Sequence, residues 1–293
     1  MKNSFIFLLL FFAFATRIFA QETGAKPDDP EKFMEKYLDS LRSSCEDSLS
    51  CPDSPGERMI HAALFLLNTP YSENTLEVNE EESLVIHFRA LDCMTFVENC
   101  LALSRTAQSD SAGYDFFARQ LTAIRYRNGI IAGYSSRLHY VSDWIFDNSA
   151  KGTVEDITCA LGGENFPQQV GFMSAHPELY PKLRGNPPQT ERMIAIERAI
   201  NQRASLCYIP KKDIKRKQAG IESGDIICFT TRTPGLDVSH VGIACRSGNL
   251  LTFIHASASR RKVIVNPEPL EAYCNRLKTN TGIIVLRPST LID

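Results

Sequence analysis

Cysteine and histidine are the side chains of this sequence whose types and positions could carry covalent chemistry. Cys93 follows Asp92 and opens a run with Val97, Cys100, Leu101 and Ser104 on one face, which predicts a helix whose first turn contains the cysteine. A thiol placed there meets unsatisfied backbone N–H groups and the positive end of the helix dipole, both of which favour the thiolate. The same amides can receive the oxyanion formed when a carbonyl is attacked, so the position suits acyl transfer. The competing reading is a buried structural cysteine, because a free cysteine is a small hydrophobe more often than a nucleophile.

Such a nucleophile needs a base. His240, in Ser239-His240-Val241-Gly242-Ile243, and His255, in Ile254-His255-Ala256-Ser257, lie on consecutive predicted strands. With Ser247-Gly248 as a two-residue turn the two imidazoles stand directly opposite on one face, and a register one pair looser leaves them diagonal neighbours. One ring can then move the proton while the other fixes its tautomer. His61, His87 and His176 read as structural.

The elements that must position these groups follow an α+β order. Helices are expected over residues 31–42, 57–68, 114–126 and 190–204, the last with Thr190 as N-cap, besides the one that opens at Cys93. Leu84 to Phe88 reads as a short strand ahead of it. From residue 205 onward short β-branched runs (226–230, 238–245, 250–255, 263–265 and 283–286) are separated by Gly, Pro or Asn, which argues for an antiparallel sheet.

Composition narrows the function classes. With 43% hydrophobic and 23% charged residues and a net charge of −2, the 293-residue chain is globular and is no general polyanion binder, so nucleic acid is not an expected partner. Lys2 precedes an apolar run from Phe5 to Ala15 that is too short to span a bilayer, and small residues lead to Ala20-Gln21. This reads as a secretory signal peptide over residues 1–20, with a single periplasmic or secreted domain over 21–293 and no stable membrane insertion.

Nine cysteines leave at least one thiol unpaired. Cys45 and Cys51 could close a local disulfide, and most of the others read as buried hydrophobes. Neither C-x-x-C nor H-E-x-x-H occurs, so no metal and no cofactor is expected. The basic run Lys211 to Lys217 has no interleaved aromatics and reads as a solvated loop.

Thr69-Pro70-Tyr71, Asp92-Cys93-Met94-Thr95-Phe96-Val97, Ser223-Gly224-Asp225-Ile226-Ile227, His240-Val241-Gly242-Ile243 and His255-Ala256-Ser257 resemble, in this order, the motif blocks of NlpC-type cell-wall cysteine amidases. The resemblance implies a papain-like core in which helices pack on an antiparallel sheet or barrel. It makes Cys93 the nucleophile, His240 the base, His255 its orienter and Tyr71 an aid to the oxyanion site. Nucleophile and base lie much further apart in sequence than in the compact endopeptidases of that superfamily. A helical insertion over 108–220 therefore separates an N-terminal helical part (31–70) from the sheet that carries the histidines (221–293).

Within the insertion, Ser136-Arg137-Leu138-His139-Tyr140-Val141-Ser142-Asp143-Trp144 and Phe172-Met173-Ser174-Ala175-His176-Pro177 resemble a branch long catalogued as a domain of unknown function. Its members are N-acetylmuramoyl-L-alanine amidases acting on muropeptides with a 1,6-anhydro sugar. A small muropeptide is then the expected partner of a monomeric enzyme. Arg137 could grip a carboxylate, and Tyr140 or Trp144 could offer a flat face to a pyranose, with His139, Asp143 and Ser239 as further contacts. The same residues could equally serve the core, Arg137 by pairing with Asp143. The rival functions are a γ-D-glutamyl endopeptidase that cuts the stem peptide and a non-catalytic muropeptide-binding protein.

Overall fold

A computed structural model describes residues 29–46, 51–167 and 169–291; the expected signal peptide lies outside them. Helix α1 (Pro30–Glu46) buries Phe33, Met34 and Tyr37. Helix α2 (Pro55–Phe65) starts where Ser54 and Glu57 form a reciprocal capping box around Pro55, two residues before the expected start. A Cys45–Cys51 disulfide closes the connection between these helices.

The segment 84–88 has no regular secondary structure and joins no sheet. Side chains take its backbone groups instead: Arg125 Nη1 donates to the Val85 carbonyl at 2.7 Å, and the Tyr126 hydroxyl to that of Ser83 at 3.1 Å. Phe88 stacks on Phe33 at 3.9 Å between ring centroids. Apolar alternation there records burial against helices, which periodicity cannot tell from strand pairing.

Helix α3 (Cys93–Thr106) is followed by α4 (Tyr114–Arg125), α5 (Val141–Ala150), the short α6 (Phe172–Ala175), α7 (Pro187–Asn201), the short α8 (Ile214–Lys217) and α9 (Leu270–Arg276). Asn186 caps α7, its Oδ1 accepting from the Gln189 amide at 3.3 Å, so the helix starts before the expected Thr190. Pro187 and Pro188 fill first-turn positions whose missing N–H groups would find no intrahelical partner. The basic run Lys211 to Lys217 is not a free loop: it contains α8, buries Ile214 and lays Lys217 on the Gly162 carbonyl.

The strands are β1 (Val154–Asp156), β2 (Glu164–Asn165), β3 (Cys207–Pro210), β4 (Ile226–Thr231), β5 (Val238–Ser247), β6 (Leu250–Ser257), β7 (Lys262–Val265) and β8 (Asn280–Pro288). They form one antiparallel sheet in the order β2-β3-β8-β4-β5-β6-β7, with β1 also on β8. The α+β class stands, and among the described residues the sheet is open. The edge at β7 is covered by the segment around Pro70, since the Val263 amide donates to the Thr69 carbonyl at 2.8 Å and the Asn68 amide to that of Val263 at 3.0 Å.

One sheet face, with Cys228, Val241, Ile243, Ile254 and Ile284, packs on Met59 of α2 and on Phe96, Cys100 and Leu101 of α3. The other, with Ile227, Phe229, Phe253 and Val285, packs on Leu270 and Cys274 of α9. Each such side chain contributes about 1.5–3 kcal/mol on full burial, which fixes α3 rigidly against the sheet. The region between α4 and β3 has its own cluster around Tyr140, Met173 and Met193, and a Cys159–Cys207 disulfide ties its end to β3. Among the described residues no helix is long and apolar enough to cross a membrane.

Candidate active site

Asp92 fixes where α3 begins. Its carboxylate accepts from the Thr95 amide at 2.8 Å while Thr95 Oγ1 accepts from the Asp92 amide at 3.0 Å, so Asp92-Cys93-Met94-Thr95 is a reciprocal cap and Cys93 is the first helical residue. The chain just before it is tied to the Tyr71 segment, with the Leu91 amide donating to the Pro70 carbonyl at 2.9 Å. Tyr71 is half-buried, within electrostatic reach of Cys93, and its hydroxyl lies 3.5 Å from Glu73. Burial raises its pKa, with the Cys93 and Glu73 charges adding to the shift, so the phenol remains a proton donor.

The histidines meet through a register that differs from the tight one. The β5–β6 ladder runs from Ser247–Leu250 to Ile243–Ile254, which makes Gly248-Asn249 the turn and leaves His240 and His255 as diagonal neighbours. Gly248 takes the left-handed backbone, with φ +57°, that this turn needs. Beyond Ile243 and Ile254 the two strands part: β5 continues with β4 to Val238, and β6 continues with β7 to Ser257. His240 Nε2 and His255 Nδ1 bridge this gap at 2.6 Å.

Gly242 is required beside it, because a Cβ there would lie 2.9 Å from the Phe253 ring and 3.3 Å from the His255 Cβ. The Cys93 sulfur lies within reach of the amide of Val241, the residue after His240. That amide is left over where the ladder stops, and the Cys93 and Met94 amides point at the sulfur too.

Burial works against the expected thiolate. Burial pushes the Cys93 thiol up to about 12, the Asp92 carboxylate adds to this, and the three amides pull the other way without prevailing. Burial lowers His240 to about 3, helped by His255, and burial alone lowers His255 to about 4. Burial thus favours the neutral thiol and the neutral imidazole. His255 is 3% exposed and its Nε2 has no hydrogen-bond partner among the described residues.

Aromatic rings back the histidines: Phe229 lies 5.5 Å from His240, Phe253 lies 4.7 Å from His255, and Tyr273 of α9 packs on both phenylalanines and on His255. Sequence reading missed Tyr273, which sits in no motif; its place next to the pair is set by α9 docking on the sheet. No group of His, Cys, Asp or Glu among the described residues could hold a metal ion.

The insertion residues expected to touch a ligand are used internally. Arg137 is 8% exposed and holds Glu77 at 2.6 Å and Glu82 bidentately at 2.7 and 2.9 Å. Asp143 lies between Arg127 and Arg203, at 2.7 and 2.6 Å, and so does not pair with Arg137. The Tyr140 hydroxyl donates to Glu197 at 2.7 Å and accepts from the Met173 amide at 2.9 Å. His139 is anchored to the Tyr134 carbonyl at 2.8 Å, and Trp144 is 1% exposed in the core. Arg137 ties the insertion to the segment that carries Glu77 and Glu82, while Asp143, Tyr140 and His139 knit it internally, where burial calls for a partner to each charge and hydroxyl. Ser239 is exposed beside His240, its hydroxyl 3.5 Å from the Phe229 carbonyl.

Comparison with known proteins agrees with this framework. An N-acetylmuramoyl-L-alanine amidase from Bacteroides uniformis is 38% identical, with a TM-score of 0.77 over 80% of this chain and 99% of that one. A Bacteroides fragilis protein named, provisionally, as a xylanase is 41% identical, with a TM-score of 0.74 over 77% of this chain and 99% of that one. A Legionella pneumophila protein of the family DUF1460 shares the fold at 20% identity and a TM-score of 0.65, over 88% of this chain and 97% of that one. No protein of curated function matches significantly. The family model AmiA-like, described as N-acetylmuramoyl-L-alanine amidase-like, matches residues 61–283, and the chain belongs to that family.

Proposed function

We propose that the protein is an exported cysteine amidase of the NlpC-type, papain-like class. It hydrolyses the amide between the lactyl group of N-acetylmuramic acid, in its 1,6-anhydro form, and L-alanine in peptidoglycan fragments. The observation that carries this reading is the opening between β5 and β6, where the Cys93 sulfur lies by the amide of Val241, the residue after His240, and His240 is bonded to His255 at 2.6 Å. His255 occupies Nε2 of His240, which leaves Nδ1 as the nitrogen available to the thiol. The family and the B. uniformis amidase support the bond cleaved. Two disulfides and the apolar leader support export to an oxidising compartment.

In this mechanism substrate closes the opening, and the thiol proton passes to His240 Nδ1 as the sulfur attacks the lactyl carbonyl. The developing oxyanion is held by helix-start amides and the Tyr71 hydroxyl. The imidazolium then protonates the alanine nitrogen as the C–N bond breaks, leaving a thioester on Cys93. His240 next takes a proton from water, whose oxygen attacks the thioester, and the departing thiolate recovers that proton. Because burial favours the neutral thiol and imidazole, proton transfer belongs to the attack itself and not to a preformed ion pair.

Mass spectrometry of one defined anhydro-muropeptide after digestion tests the reading. A free anhydro-sugar and a peptide beginning with L-alanine are expected. A sugar that retains L-Ala-γ-D-Glu would establish the endopeptidase instead, and an intact substrate would leave a binding protein.

A further inference from the structure

Four non-glycine residues among those described have a positive φ, and three of them, Asn68, Asn74 and Asn128, are of the type that tolerates it. The fourth is Arg261, at φ +58°. It is the last residue of the β6–β7 turn, which spans residues 258–261 between the paired Ser257 and Lys262. Glycine or asparagine would take this backbone at lower cost, so an arginine here is strain held in place by its surroundings, as occurs at binding sites.

The turn is fastened to the Tyr71 rim of the opening. The Tyr71 amide donates to the Arg261 carbonyl at 2.9 Å, Pro70 bridges to Lys262, and Lys262 Nζ donates to Asn68 Oδ1 at 2.8 Å. The Arg261 guanidinium lies 6.0 Å from the Tyr71 ring centre. Arg260 and Arg261 are both exposed, and among the described residues neither has an ion pair, although Glu73 and Asp92 lie close to Tyr71. Other arginines of the chain, such as Arg125, Arg137 and Arg287, are committed to carboxylates.

We propose that Arg261, with Arg260 beside it, forms a carboxylate-recognition subsite at the Tyr71 rim, which grips the free carboxylate of the second residue of the substrate's stem peptide. The proposal rests on the amidase reading above. A γ-linked D-glutamate keeps its α-carboxylate, and a guanidinium fork with no internal partner suits a planar carboxylate bidentately.

The test compares two otherwise identical anhydro-muropeptides, one with the D-glutamate α-carboxylate free and one with it amidated, on the unaltered protein and on Arg261→Gly. Glycine removes the guanidinium and relieves the positive φ, so the variant should melt no lower than the parent. The unaltered protein should prefer the free acid by about tenfold or more in kcat/KM, and Arg261→Gly should lose that preference. Equal rates on both substrates with the unaltered protein, or a preference that survives in Arg261→Gly, would overturn the subsite while leaving the amidase reading standing. Absence of cleavage of either substrate by the unaltered protein would overturn both.

Discussion

The insertion and the β5–β6 opening are both rich in buried polar side chains, and they treat them in opposite ways. In the insertion charges are paired: Arg137 takes two carboxylates, Asp143 takes two guanidinium groups, and Glu197 accepts from Tyr140. At the opening the polar groups are held close but left incomplete. Among the described residues His255 Nε2 has no hydrogen-bond partner, burial favours the neutral Cys93 thiol and the neutral His240 ring, and the Val241 amide lies by the sulfur. Paired charges give rigidity, whereas uncharged groups held close keep reactive atoms available to a substrate. Unpartnered buried polar atoms occur in both regions, Ser142 Oγ and Trp144 Nε1 in the insertion among them, so it is the pairing of charge that separates the two.

The largest effect that would sharpen this comparison is loss of the sulfur. Cys93→Ala should reduce turnover of anhydro-muropeptide by roughly 10⁴-fold or more, with the melting temperature nearly unchanged, since alanine suits the first turn and Asp92 still caps it. Turnover retained in that variant, measured by product release, would remove Cys93 from the chemistry and break the contrast.

Arg137→Ala should act on stability instead. It leaves Glu77 and Glu82 as unpaired carboxylates with side chains 13% and 4% exposed, and should cost about 3–5 kcal/mol in chemical denaturation. A variant of parental stability with a raised KM would return Arg137 to the substrate site and erase the distinction between the regions.

The smallest effect is on pH dependence. His240 and His255 titrate near 3 and 4 in the folded chain, against about 6.5 when unfolded. The unfolded chain therefore binds more protons between about 4 and 6.5, so stability is complete above 6.5 and falls as the pH drops through that window. His61 and His139, lowered to about 4 and about 3, act in the same direction. For activity the base form of His240 persists, and the acid limb of kcat/KM should lie below about pH 5. A limb near 6.5 would show the opening to be as wet as an ordinary surface.

Much of the site was legible as local pattern. Asp92-Cys93-Met94-Thr95 states its own cap, so a cysteine at a helix start follows from sequence. The alternation through Val238 to Ile243 and Leu250 to His255 supplies two neighbouring strands, and the turn between them limits the histidines to opposite or diagonal positions. The thiolate was not legible, because its sign depends on a sum: the helix amides are local, while the burial that outweighs them comes from the sheet.

The insertion misled for a related reason. Arg137, Tyr140, Asp143 and Trp144 have the side chains of a sugar-peptide site, and only long-range partners such as Glu77, Glu82, Glu197 and Arg203 reveal that they face inward. The Cys159–Cys207 pair, 48 residues apart, gave no sign in its spacing either.

The amino-acid order by itself determined the elements and the chemical types they present: a capped helix opening on cysteine, a hairpin with two histidines, and an α+β succession. These rest on caps, turns and periodicities that act over a few residues. Tertiary structure alone decided that β5 and β6 part after Ile243 and Ile254, that Cys93 enters the opening, and which charged groups are paired or left free. Burial and pairing are properties of neighbours brought from distant parts of the chain, and no local pattern contains them.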